Sequence, residues 1–66
     1  MKYTYGTKVR DKAVGALGVV ISHEEMERFK HADKVVFPTD VCIAWGESYR
    51  ATYDKTWVDE NCEVLK

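Results

Sequence analysis

The stretch Gly6–Ser22, GTKVRDKAVGALGVVIS, constrains the fold more than any other part of this chain. Around it, Tyr3, Tyr5, Thr7 and Val9 alternate with Lys2, Thr4, Lys8 and Arg10. That is the period-2 pattern of a half-buried strand, with Gly6 as the point where it bends or bulges. Asp11–Gly15 reads as a turn, and Leu17–Ile21 as a second strand. Leu17, Val19 and Ile21 share one face of that strand, and Val20 lies on the other with Gly18 and Ser22. Apolar residues on both faces predict two covers, one from the core and one from another element or a second subunit.

Ser22-His23-Glu24-Glu25 matches the S-x-x-E capping box. The serine oxygen can accept from the amide three residues on, and acidic residues suit the positive end of the helix dipole. The predicted helix runs from about His23 to about Ala32, with Met26 and Phe29 as anchors and as the expected cover for Val20. It is too short to persist in water without tertiary contacts. Lys34–Phe37 reads as a short extended piece that Pro38 ends or holds at an edge. Val41, Ile43 and Trp45 alternate with Cys42 and Ala44. After the Gly46-Glu47-Ser48 turn, Tyr49, Ala51 and Tyr53 alternate with Arg50, Thr52 and Asp54, which completes a β-hairpin. Lys55–Asn61 reads as a turn or one turn of 3₁₀ helix with Trp57 and Val58 inward, and Cys62–Leu65 as a last short strand.

A chain of 66 residues is one domain. At that size folding buries only about 60% of the unfolded chain's surface, so stability is marginal. Ten Lys and Arg against eleven Asp and Glu leave a net charge of −1. Strong non-specific DNA binding needs many unopposed cations and is therefore not expected. No apolar run reaches the ~20 residues of a membrane span, and the N-terminus lacks a signal peptide's apolar core. The expected location is the cytoplasm, with Cys42 and Cys62 as reduced, buried thiols rather than a disulfide.

The fold class that follows is mainly β: a small five-stranded barrel with one short helical insert at about 22–34, since five short strands must protect their edges and closure does so. At this level residues 1–66 resemble a single SH3-like domain, and within that class KOW-type and Tudor-like modules. The resemblance is carried by Gly6-Thr7-Lys8-Val9-Arg10, by Gly15-Ala16-Leu17-Gly18-Val19-Val20, by Ile43-Ala44-Trp45-Gly46 leading into Tyr49–Tyr53, and by Trp57 before the last strand. The Ser22–Asp40 insert is longer than a minimal KOW-type barrel needs, and the balanced charge differs from the basic nucleic-acid-binding members.

The sequence offers little for catalysis. His23-Glu24-Glu25-Met26-Glu27 departs from the zinc motif H-E-x-x-H at its second histidine. The cysteines and histidines form no C-x-x-C pair, and Gly15–Gly18 lacks the Lys-Ser/Thr and helix of a phosphate loop. No metal, cofactor or catalytic group is expected, and no enzymatic activity. The aromatic residues are the more informative set. Tyr3, Tyr5, Trp45, Tyr49 and Tyr53 come from strands expected to be neighbours, where the bland reading is core filling and ordinary surface tyrosines. The functional reading is a binding platform, with Arg10 and Arg50 adding ionic contacts from opposite faces.

The expected function is a small non-enzymatic protein-interaction module, of the size of a bacterial or phage-encoded regulator that binds a host macromolecule. Two alternatives stay open. One is a KOW-like nucleic-acid module associated with the ribosome or RNA polymerase, as the resemblance implies. The other is a homo-oligomeric binder of a small ligand such as a nucleotide, favoured by the doubly apolar second strand and the small size.

Overall fold

The structure is a computed structural model that describes residues 3–28, 39–47 and 49–65. It is mainly β. Among the described residues, five strands form one antiparallel sheet: β1 Lys8–Asp11, β2 Leu17–Ile21, β3 Val41–Trp45, β4 Tyr49–Tyr53 and β5 Cys62–Leu65. Two short helices are added among the same residues, α1 His23–Glu27 and α2 Lys55–Asn61. The strand order is β4-β3-β2-β1-β5, with no pairing between β4 and β5, so the sheet is open and not the closed barrel that edge protection implies. The physical reason lies in α2. Asp54 caps it by accepting from the Thr56 amide at 2.8 Å. Its Val58 is fully buried in the core and its Trp57 stacks on Tyr53. A regular helix stands where a turn or one turn of 3₁₀ helix is expected, and its side chains, not a further ladder, pack between the two edge strands.

Register assigns the sheet's two faces. Antiparallel partners share a face and neighbours along a strand alternate. Val9 pairs with Gly18 and Val64, Val20 with Ile43, Ile43 with Ala51, and Val41 with Tyr53. This inner face, closed by Tyr3, Val58 and Cys62, is the main core. Tyr3 is 2% exposed, and its hydroxyl donates to Asp59 on α2. The chain before β1 is therefore a strap rather than a strand: Gly6 takes φ +88° and donates its amide to the Val20 carbonyl at 2.8 Å. The alternation of Tyr3 and Tyr5 thus does not extend β1, which begins only at Lys8.

The outer face has a smaller cluster of Ile21, Met26 and Cys42. Ser22 caps α1 as the motif requires, accepting from the Glu25 amide at 3.0 Å. Arg28 is the C-cap, so α1 is shorter than the predicted span to Ala32. Phe29, Lys34–Phe37 and Pro38 lie outside the described residues. The prediction that Met26 covers Val20 is reversed. Val20 faces the core, and Met26 covers Ile21 and Cys42 on the opposite side. Cys42 and Cys62 are both free and belong to these two different clusters, on strands separated by β2 and β1, which excludes a bond between them. No described helix is long and apolar enough to cross a membrane.

Candidate interaction surface

Where α2 meets the β4 edge, aromatic rings line the margin of the inner face. Trp45 on β3 sits opposite Tyr49 on β4. The Trp45 indole N–H donates to the Tyr53 hydroxyl at 2.8 Å, and the two rings meet edge to face with centroids 6.2 Å apart. Tyr53 stacks on Trp57 of α2 at 4.4 Å and 15°. Tyr49 is 57% exposed, while Trp45, Tyr53 and Trp57 are half-buried. The rings of Trp45, Tyr53 and Trp57 run in contact from strand to helix, and Tyr49 flanks them opposite Trp45 at the sheet edge. Burial raises the Tyr53 hydroxyl above its ordinary pKa, although the Trp45 hydrogen bond opposes this. The hydroxyl thus stays protonated near neutrality.

Gly18 makes this arrangement possible. A Cβ at that position would meet Ile43 Cγ2 at 2.6 Å and Trp45 Cε3 at 2.7 Å, so the indole lies directly on the glycine backbone. Small residues let a large ring approach the sheet this closely. The strip is held by packing from beneath, by a hydrogen bond within it and by the helix cap beyond it.

The residues expected to form one platform divide into three groups. Trp45, Tyr49 and Tyr53 come together as anticipated. Tyr3 is a core residue bonded to Asp59. Desolvation first, and Asp59 second, push its hydroxyl up to about 12. Tyr5 is 67% exposed but lies at the other end of β3, lining a cleft of about 160 Å³ with His23, Asp40 and Cys42. Arg10 and Arg50 point to the outer face. Arg10 pairs with Glu63 across β1 and β5, and Arg50 donates to the Glu47 carbonyl at 3.2 Å. Neither adds charge to the aromatic strip. Trp57 is the member read as an inward-packing residue alone; its signal is the four-residue interval in Trp45, Tyr49, Tyr53 and Trp57.

His23 Nε2 lies 2.8 Å from the Asp40 carbonyl, which can only accept, so that nitrogen carries the proton. No group of three His, Cys, Asp or Glu side chains among the described residues is placed to hold an ion. Cys42 is buried, and desolvation together with the Asp40 charge pushes its thiol up to about 11, away from the nucleophilic thiolate. Comparison with protein-family models, curated proteins and solved structures returned no match.

Proposed function

We propose that this chain is a non-enzymatic protein-interaction module that engages a partner protein through the strip Trp45–Tyr49–Tyr53–Trp57. The observation that carries the reading is the strip's construction: Trp45, Tyr53 and Trp57 are held to one another, each partly reachable from solvent, and exposed Tyr49 stands beside them. Tyr and Trp dominate binding hot spots because they bring large, rigid, amphipathic area. Rings already fixed in place lose little side-chain entropy on binding. The antiparallel order β5-β1-β2-β3-β4, with a helix between β4 and β5, supports an SH3-like module whose closure comes from side chains of α2 and the Tyr3 strap. The net charge of −1 supports a protein partner over a polyanion.

The test is affinity capture from the source cells with wild-type protein and with Tyr49→Ala, which removes the strip's most exposed ring without touching the core. The expected result is a protein recovered in stoichiometric amount, insensitive to nuclease and lost with Tyr49→Ala. Recovery of nucleic acid alone, or a protein retained equally by the variant, overturns the reading.

A further inference from the structure

Three consecutive residues of α2 meet three different parts of the molecule. Trp57 stacks on Tyr53 of β4, Val58 is fully buried in the core, and Asp59 accepts from the Tyr3 hydroxyl of the strap. Successive side chains on a helix stand about 100° apart. Trp57 and Asp59 therefore project on opposite flanks of Val58. Val58 sets how deep the helix sits, but a single central anchor leaves it free to roll about its axis. Further tethers lie at the helix ends. Asp54 caps the first turn at 2.8 Å, and Lys12 donates its amide to the Asn61 carbonyl at 2.9 Å and its ammonium to the Glu60 carbonyl at 3.4 Å. Bonds to backbone groups near the axis fix position and direction more than rotation. Roll is opposed by the two flanks.

The Asp59 flank is the firmer. Tyr3 is 2% exposed and belongs to the main core, so its hydroxyl cannot exchange Asp59 for bulk water unless the ring leaves that core. Lys55 holds the other carboxylate oxygen at 3.1 Å, an ion pair within the helix that orients the carboxylate but does not tie α2 to the rest of the fold. On the opposite flank Trp57 is half-buried and rests on the Tyr53 ring 4.4 Å away. A roll of about 20° moves a side chain about 5–6 Å from the axis by about 2 Å, enough to slide that stack. We propose that Tyr3 is a positioning residue for the aromatic strip: its bond to Asp59 sets the roll of α2 and so holds Trp57 over Tyr53. The N-terminal strap thereby governs the helix half of the strip, whereas the strand half is set by the Trp45–Tyr53 hydrogen bond and the β3–β4 pairing. A ring held in advance loses less freedom on binding, so releasing the strap lowers affinity without touching a contact residue. That consequence rests on the strip being the interaction surface; the coupling of Tyr3 to Trp57 does not.

The test uses the full chain, labelled with ¹⁵N. Its two tryptophans give two indole N–H signals, assigned with Trp57→Phe. Tyr3→Phe keeps the ring and removes the hydroxyl. It should shift the Trp57 indole and ring signals toward those of an unstacked ring and leave the Trp45 indole, held by Tyr53, in place. Asp59→Ala should do the same, and because Asp59 is exposed this variant carries the test should Tyr3→Phe fail to fold. Asp59→Asn, which keeps an acceptor oxygen, should stay close to wild type. Lys55→Ala breaks only the pair within the helix and should leave Trp57 in place. An unmoved Trp57 in both Tyr3→Phe and Asp59→Ala overturns the proposal. So do equal shifts of both indoles, which mark general loosening, and a Lys55→Ala shift as large as that of Tyr3→Phe. In affinity capture, Tyr3→Phe should recover about threefold less partner than wild type, within the range of indirect couplings. Equal recovery with a displaced Trp57 overturns the consequence for binding. A wild type that captures no protein overturns the strip reading alone, and the indole signals still decide the coupling.

Discussion

Replacing Gly18 by alanine tests the packing beneath the aromatic strip, and the sign of the outcome is informative. Gly18 is buried in β2 and does not take a positive φ. On backbone grounds alone alanine should stabilise it, because glycine inside a strand costs about 0.5–1 kcal/mol relative to alanine. Space opposes this. The added carbon would stand 2.6 Å from Ile43 Cγ2 and 2.7 and 2.9 Å from two atoms of the Trp45 ring. Ile43 is fully buried, so relief must come from moving Trp45, which disturbs its bond to Tyr53. Overpacking of this kind costs about 1–3 kcal/mol. The net expectation is a loss centred near about 1 kcal/mol, and up to about 2.5 kcal/mol, after the backbone gain. A domain of this size is stable by only about 3–10 kcal/mol, and each kcal/mol moves Tm by about 4–8 °C. Urea unfolding followed by tryptophan fluorescence reads both the loss and the changed Trp45 environment. A Gly18→Ala protein as stable as the wild type, or more so, would refute the close approach of Trp45 to β2.

Further expectations concern the interactions that position the strip and the strap. Tyr53→Phe removes the acceptor of the half-buried Trp45 N–H and should cost about 1 kcal/mol in urea unfolding. Ser22→Ala and Asp54→Ala remove the N-caps of α1 and α2 and should each cost about 1 kcal/mol. Tyr3 in the folded state is pushed up to about 12 and Cys42 to about 11, from ordinary values of 10.0 and 9.0. Their protonated forms are favoured by folding, so this stability is fully present below pH 9 and is lost as pH rises toward 12. Tyr3→Phe should flatten the upper part of that decline in denaturation measured from pH 8 to 12, and an identical profile would contradict the buried Tyr3–Asp59 contact. Both thiols should resist alkylation in native buffer and react together on unfolding.

Strand content was legible because side-chain alternation is a local signal. Leu17–Ile21, Val41–Trp45 and Cys62–Leu65 all form as their patterns require, and Ser22 caps its helix as the S-x-x-E spacing requires. What alternation cannot carry is the choice of inner face. For β2, with apolar residues on both sides, that choice depends on where β3 and α1 dock. Val20 and Ile21 therefore exchanged roles between expectation and structure. Tyr3 fits a strand period but is recruited as a core plug, because Gly6 turns the chain and Asp59 offers a partner fifty-six residues away. The same limit applies to the site. Trp45, Tyr49 and Tyr53 were readable as hairpin aromatics, whereas Trp57 joins them only because Asp54 starts a helix that carries it back over Tyr53.

The central claim, that the aromatic strip meets a partner protein, is tested most directly by a photo-crosslinking amino acid at Tyr49. Val14 is the control: it is 77% exposed and lies in the β1–β2 turn. Irradiation in the source cells should give a discrete, nuclease-resistant protein adduct from position 49 and none from position 14. Equal adducts from both positions, or an adduct that nuclease removes, would contradict the account.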